Sequence, residues 1–171
     1  NADLNAFVDL DSIATKATVN LNVVGADLQH LGLMSRNVKT GMDISLDFKG
    51  NLENYTVEAN VKDGVVVYDN RTYLVGLINA KALVNKDTTS VSIKNKLINL
   101  NLESNTDPQR FSKAIQRHVA SYFYRDTKAI DTITNPVNLK LKGKIAQTAL
   151  IKDVFLVNVK DLDTINFAVD F

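Results

Sequence analysis

Apolar and polar residues alternate along most of this chain. The period-two pattern occupies residues 18–23, 42–48, 55–62, 91–94, 98–103, 137–142, 155–160 and 165–171. Successive side chains of a strand point to opposite faces, so each segment predicts a strand with one greasy and one wet side. The greasy side carries Val19, Leu21, Val23, Met42, Ile44, Leu46, Phe48, Val57, Ile93, Leu100, Leu102, Leu139, Leu141, Val157 and Phe167. The wet side is mostly Asn, Thr, Ser, Asp, Glu and Lys. This is the signature of an antiparallel sheet with one face covered and one in solvent. A parallel sheet between helices would show unbroken runs of Val, Ile and Leu instead.

The connections fit that reading. Asp69-Asn70-Arg71 lies between two apolar runs and predicts a hairpin turn, and residues 61–65 and 85–88 read as further turns. Pro136 precedes a strand rather than interrupting one. Residues 21–28, 46–52 and 139–145 share a plan: an alternating strand ends in glycine, and an apolar residue follows two or three positions later. Glycine there permits the positive φ of a tight reversal. The irregular spacing excludes a β-helix of fixed short repeat and suggests a long meander.

The period changes in two places. Residues 25–33, with Leu28 and Leu31 at helical spacing before Gly32, read as a short helical turn or loop. Asp107-Pro108 is a helix start, with Asp as cap and Pro at the first helical position. Beyond it, Phe111, Ala114, Ile115, His118, Val119, Tyr122 and Phe123 share one stripe, with Arg110, Lys113, Gln116, Arg117 and Ser121 opposite. One amphipathic helix over residues 108–125 therefore interrupts a mainly β chain. Phe111, Ile115, Val119 and Phe123 are its candidate residues for covering the greasy face. Its basic side is read as solvated, with contact to anionic head groups as the alternative. Tyr124 is expected to face water or a strand edge.

Composition narrows the function classes. The chain has 171 residues, enough for one domain with a sizeable core, or one slice of a longer β protein. It opens on Asn-Ala-Asp and stops inside a strand pattern, so it is read as part of a longer protein, with residues 1–16 as an edge or poorly ordered segment. The net charge of +1 argues against a nucleic-acid surface. There is no cysteine, hence no disulfide and no thiolate metal site or nucleophile. No segment is apolar over the roughly 20 residues a spanning helix needs.

Candidate chemistry is sparse. His30 and His118 lack a metal-ligand partner at helical spacing, and His118 is read as a packed histidine on the apolar stripe. The acid pairs Asp9/Asp11 and Asp161/Asp163 are read as solvated strand ends, with a cation site as the alternative. No glycine-rich phosphate loop is present. Asn54-Tyr-Thr and Asn70-Arg-Thr match the glycosylation sequon, a pattern frequent by chance. No cofactor and no enzymatic activity are expected.

Several stretches resemble one family. These are residues 21–33, the run Leu46-Asp-Phe-Lys-Gly-Asn-Leu-Glu-Asn54, Val61-Lys-Asp-Gly64, the Tyr-Asp-Asn-Arg-Thr-Tyr hairpin, and the order strand, Asn-Leu-Glu-Ser-Asn, helix. They are similar to the AsmA-like/TamB group of large bacterial envelope proteins, in the form found in Bacteroidota. The resemblance covers most of the chain through motifs of low specificity. It implies a β-sheet curled into a taco-shaped trough with an apolar interior. It also implies an internal segment of a bridge across the periplasm, in a parent anchored in the inner membrane by an N-terminal element absent here. The implied partners are phospholipid acyl chains and an outer-membrane barrel of the Omp85 family, and the implied work is lipid transport and outer-membrane assembly.

Three readings stand at this point. The first is a lipid-shielding segment of such a bridge. The second is a closed-core structural β-domain that binds a protein through an open sheet edge. The third is an enzyme whose dispersed site gathers a histidine with the acid pairs.

Overall fold

Among the described residues, nine strands follow one another in a single antiparallel sheet, each hydrogen-bonded to the next in sequence. They are β1 (Ala2–Asp9), β2 (Thr15–Asp27), β3 (Val38–Gly50), β4 (Tyr55–Tyr68), β5 (Arg71–Asn85), β6 (Thr88–Lys94), β7 (Ile98–Ser104), β8 (Leu139–Ile145) and β9 (Ile165–Asp170). Helix α1 (Pro108–Phe123) follows β7, and a π-helical turn (Ile151–Phe155) follows β8. This computed structural model describes residues 1–10, 14–123, 136–155 and 163–171, with the backbone alone at 121–123. The architecture is the expected one: mainly β, a curled antiparallel meander with one apolar face and one amphipathic helix. The sheet is open, with β1 and β9 as its edges.

The turns preserve the parity of the alternation. The β4–β5 connection is the pair Asp69-Asn70, with φ of 49° and 57°, and Tyr68 faces Arg71 across it. Two consecutive positive φ values define the tight turn whose twist matches a hairpin. Lys86-Asp87 does the same work between β5 and β6, where Asn85 faces Thr88.

Strand lengths divide the sheet. β2 to β5 have 13, 13, 14 and 15 residues, whereas β6, β7 and β8 have 7 each. The last β5–β6 pair is Asn79 with Lys94. Beyond it the long strands overhang. Where the overhang begins, the ladder is irregular on three successive strand pairs: at Val23/Ala26, at Gly41/Asp43, and at Val61/Gly64. Gly25 and Gly76 hold φ of 67° and 75° on this line, a conformation that side chains with a Cβ resist. Bulges bend strands and raise their twist, so this line is a crease. Asn95 seals the edge that β6 leaves: its side-chain amide donates to the carbonyls of Val75 (3.0 Å) and Leu77 (2.7 Å).

The core sits on the overhang. Val38, Val66, Leu97, Leu150 and Val154 form the buried cluster, joined by Leu28, Met34, Tyr68, Tyr73 and Val75. Leu150 and Val154 come from residues 146–155, which run from the end of β8 back over the overhang. Thr148 starts the π-turn, its hydroxyl accepting from Ile151 N–H at 3.3 Å and its carbonyl from Lys152 N–H at 3.0 Å. Polar contacts fasten the turn. Asp153 accepts from the Tyr73 hydroxyl (2.9 Å) and lies 3.5 Å from Arg71, and Arg36 donates to the Val154 carbonyl (3.1 Å). Burial, and then the bond to Asp153, raise the Tyr73 phenol above its usual 10.0.

Several expectations need correction. Residues 61–65 are not a turn but the bulge inside β4. Only Gly50 ends a strand as expected, at φ 136°; Gly25 lies in the β2 bulge and Gly143 inside β8. Phe155 closes the π-turn, where the Leu150/Val154 spacing of four is helical; the rest of the strand expected at 155–160 lies outside the described residues. Residues 1–16 contain the edge strand β1. Asp11, Tyr124, Val157 and Asp161, the side chains of Tyr122 and Phe123, and the proposed helix positions 124–125 lie outside the described residues.

Two outcomes are expected. A Cβ at position 50 would collide with the Asn54 carbonyl oxygen, so Gly50→Ala lowers stability by on the order of 1–3 kcal/mol in denaturant unfolding. Tyr73 stays protonated in the fold past its ordinary value. Its contribution is therefore present below pH 10 and is lost as pH rises through the raised value. A spectrophotometric titration should show a tyrosine ionising late, and Tyr73→Phe should remove that late step.

Candidate apolar trough

The register aligns the greasy sides of all nine strands. One row runs Val8, Ala17, Phe48, Val57, Ala82, Val91, Leu102, Leu141, Val169. The next runs Ala6, Val19, Leu46, Ala59, Ala80, Ile93, Leu100, Gly143, Phe167. A third joins Leu4, Leu21, Ile44, Val61 and Ile78 on the long strands, and Ile98, Ile145 and Ile165 on the short ones. Val23 and Met42 begin a fourth. Neighbouring strands lie about 4.8 Å apart, so the rows form one continuous apolar surface crossing the sheet.

This surface is not a filled core. In the two central rows, every residue from β2 to β7 is half-buried and none is buried. Buried residues on this face occur instead at the strand ends. At one end lies the cluster under residues 146–155. At the other lie Val84, Thr89, Ser104 and Leu139, where the chain crosses towards α1 and the Thr89 hydroxyl donates to the Thr106 carbonyl at 2.6 Å. The Ser104 and Thr106 hydroxyls are also buried there, without a partner among the described residues.

Helix α1 covers this face weakly. Asp107 caps it, accepting from Gln109 N–H (2.9 Å) and Arg110 N–H (3.0 Å). Phe111, Ala114 and Ile115 are half-buried, but Val119 is 48 % exposed. The His118 ring meets Phe171 edge-on at 4.9 Å. Phe171 pairs with Leu139 through two backbone hydrogen bonds, so the helix sits against the outer end of β8 and the segment after β9. The Phe167 ring lies over Gly143, where a Cβ would strike it. An aromatic side chain there fills the gap that glycine leaves in the apolar rows.

The other face is polar along its middle. One row reads Asn5, Asn20, Ser45, Asn60, Asn79, Lys94, Asn99, Lys144, Asn166. Cross-strand pairs support it: Lys81 to Glu58 at 2.9 Å, Thr18 to Asp47 at 2.9 Å, and Asn22 to Asp43. A shallow depression of about 390 Å³ lies between Asn99, Asn101, Lys142, Lys144 and Asn166. The overhang departs from polarity, with Val24, Val67, Leu74 and Leu77 exposed on its outer side; Phe7 and Leu83 are exposed apolar residues elsewhere on this face.

The sequence-predicted face is thus brought together. Val19, Leu21, Val23, Ile44, Leu46, Phe48, Val57, Ile93, Leu100, Leu102, Leu139, Leu141 and Phe167 all share it. The reading missed the contribution of β1 and of the second half of β5, where Ile78, Ala80, Ala82 and Val84 alternate with Asn79, Lys81 and Leu83. Small alanines hid that period.

Of the residues weighed for catalysis, His30 and Asp9 stand apart from the trough, His118 lies on α1 against Phe171, and Asp11 and Asp161 lie outside the described residues. His30 is on an exposed loop, 3.6 Å from Asp27. Asp27 also accepts from the His30 and Gln29 N–H groups, each at 3.0 Å; the His30 N–H above all holds its carboxyl below the usual value. Asp9 faces Lys16 at the sheet edge. Among the described residues, no group of three metal-ligating side chains converges.

Comparison of the chain with protein-family models, with curated proteins and with solved structures finds no match.

Proposed function

We propose that this chain is a lipid-shielding segment: its apolar face holds acyl chains, as in the envelope bridges that its sequence resembles. The observation that supports this reading is the continuous apolar surface across nine strands, half-buried in its central rows. Fully burying a Leu or Phe side chain is worth about 1.5–3 kcal/mol, and each buried CH2 of a ligand about 0.8 kcal/mol. A face of this extent therefore rewards an acyl chain laid across it. The polar opposite face suits an aqueous setting.

The reading extends to the parent protein. In it, the segment belongs to a periplasmic bridge of the AsmA-like/TamB kind, anchored in the inner membrane and working with an Omp85-family barrel in lipid transport and outer-membrane assembly. Its role is that of a conduit rather than a catalyst.

A second reading draws on a different observation. All eight residues of β1 are exposed, and its outer edge is unpaired among the described residues. An extended segment of a protein partner could add there by strand pairing.

Lipid mass spectrometry of the chain purified from bacteria, with photo-crosslinkers at positions 48, 100 and 141, separates the two. The expected result is co-purified lipid crosslinked at all three positions. Leu46→Asp should lower the recovered lipid about tenfold, the factor that some 1.4 kcal/mol gives. Lipid at background level would sink the lipid reading and leave the edge-pairing one.

A further inference from the structure

The overhang of β2–β5 has an apolar inner side that continues the trough rows. Thr40, Val66 and Tyr73 are in register with one another, as are Val38 and Tyr68. Residues 146–155 cover this side. We propose that they form a strap that closes one rim of the trough and lifts to admit a lipid chain. The inference rests on the lipid-shielding reading and adds its control.

Three observations carry it. First, the strap lies over the buried residues Val38, Val66 and Leu97 but belongs to no strand ladder. Its backbone is tied to the sheet through Ala146 N–H to the Leu97 carbonyl, at 2.8 Å. Local opening draws on elements with few such ties, whereas ladder strands open last. Second, only Leu150 and Val154 are buried from the strap, at 5 % and 2 % exposure. The other side of their contact is Val38, Val66 and Leu97, together with Tyr73 and Val75, which are held by the sheet and its turns. Lifting the strap therefore bares an apolar surface without breaking a strand pair.

Third, the fastening is polar and at the rim. Asp153 holds the Tyr73 hydroxyl at 2.9 Å and lies 3.5 Å from Arg71, and Arg36 donates to the Val154 carbonyl at 3.1 Å. The Arg71 side chain is 70 % exposed. An exposed pair of this kind holds weakly, which suits a catch that must release. The π-turn places Asp153 and Val154 side by side, one at the catch and one in the core; such turns recur at functional positions.

The test uses the whole chain, with pyrene-labelled phosphatidylcholine in phosphatidylcholine vesicles as lipid donor. Asp153→Asn and Arg36→Ala are compared with the unmodified chain, Asp153→Asn keeping the side-chain shape so that the fold survives. Hydrogen exchange is read separately for residues 146–155 and for β2–β5. The expected result is faster exchange in the strap alone and a rate of lipid uptake raised roughly two- to fivefold, the factor that losing an exposed ion pair gives. Faster strap exchange with unchanged uptake would overturn the strap and leave the lipid reading in place. Unchanged strap exchange would overturn it too, because these contacts would then not be its catch. Uptake by none of the three chains would overturn both readings.

Discussion

The alternating apolar rows of all the strands fall on one face because the turns keep the parity of the alternation. A slip of one residue would turn a whole strand inside out. The two-residue turns at Asp69-Asn70 and Lys86-Asp87 leave no slack for such a slip. The rest of the structure follows from the resulting face. It is one-sided and nine strands wide, and among the described residues no second sheet packs against it. Most of the protein's packing occurs where something else reaches that face: residues 146–155 at one end of the strands, and the approach to α1 at the other.

The mismatch between long and short strands decides where packing occurs. Where β6 stops, β5 would expose carbonyls on its new edge, and Asn95 supplies donors to two of them. The overhang then bends at the line of bulges, and its inner side meets the segment returning from β8. The buried cluster is thus a product of strand length as much as of hydrophobicity. Val38 and Val66 are buried, whereas Leu46 and Leu100, on the same face and equally greasy, are half-buried.

Much of this was legible in the sequence. The alternation in β2, β3, β7 and β8 identified strands and face together, because Val, Leu and Phe against Asn, Asp and Lys make the period plain. Asp107-Pro108 announced α1. What failed did so for local reasons. Asp63-Gly64 has the composition of a turn, but pairing with β3 and β5 on both sides keeps the strand going through it as a bulge. The alanines of β5 carry too little hydrophobic contrast to show a period. Residues 150–154 obey a helical spacing over too short a stretch to stand out beside the alternation after them. The strap's fastening joins Asp153 to Tyr73, and no local pattern brings partners so far apart in sequence together.

The crease has a meaning for how such a chain can change length. An alternating strand tolerates two added residues, since the faces are restored, but a single added residue inverts everything beyond it. At Gly25 and at Asp63-Gly64 the ladder already absorbs odd residues and returns to register with the correct face inward. The line of bulges is therefore the part of the sheet where insertions and deletions of one residue can be accommodated. The uninterrupted ladders of the central rows can change only in twos.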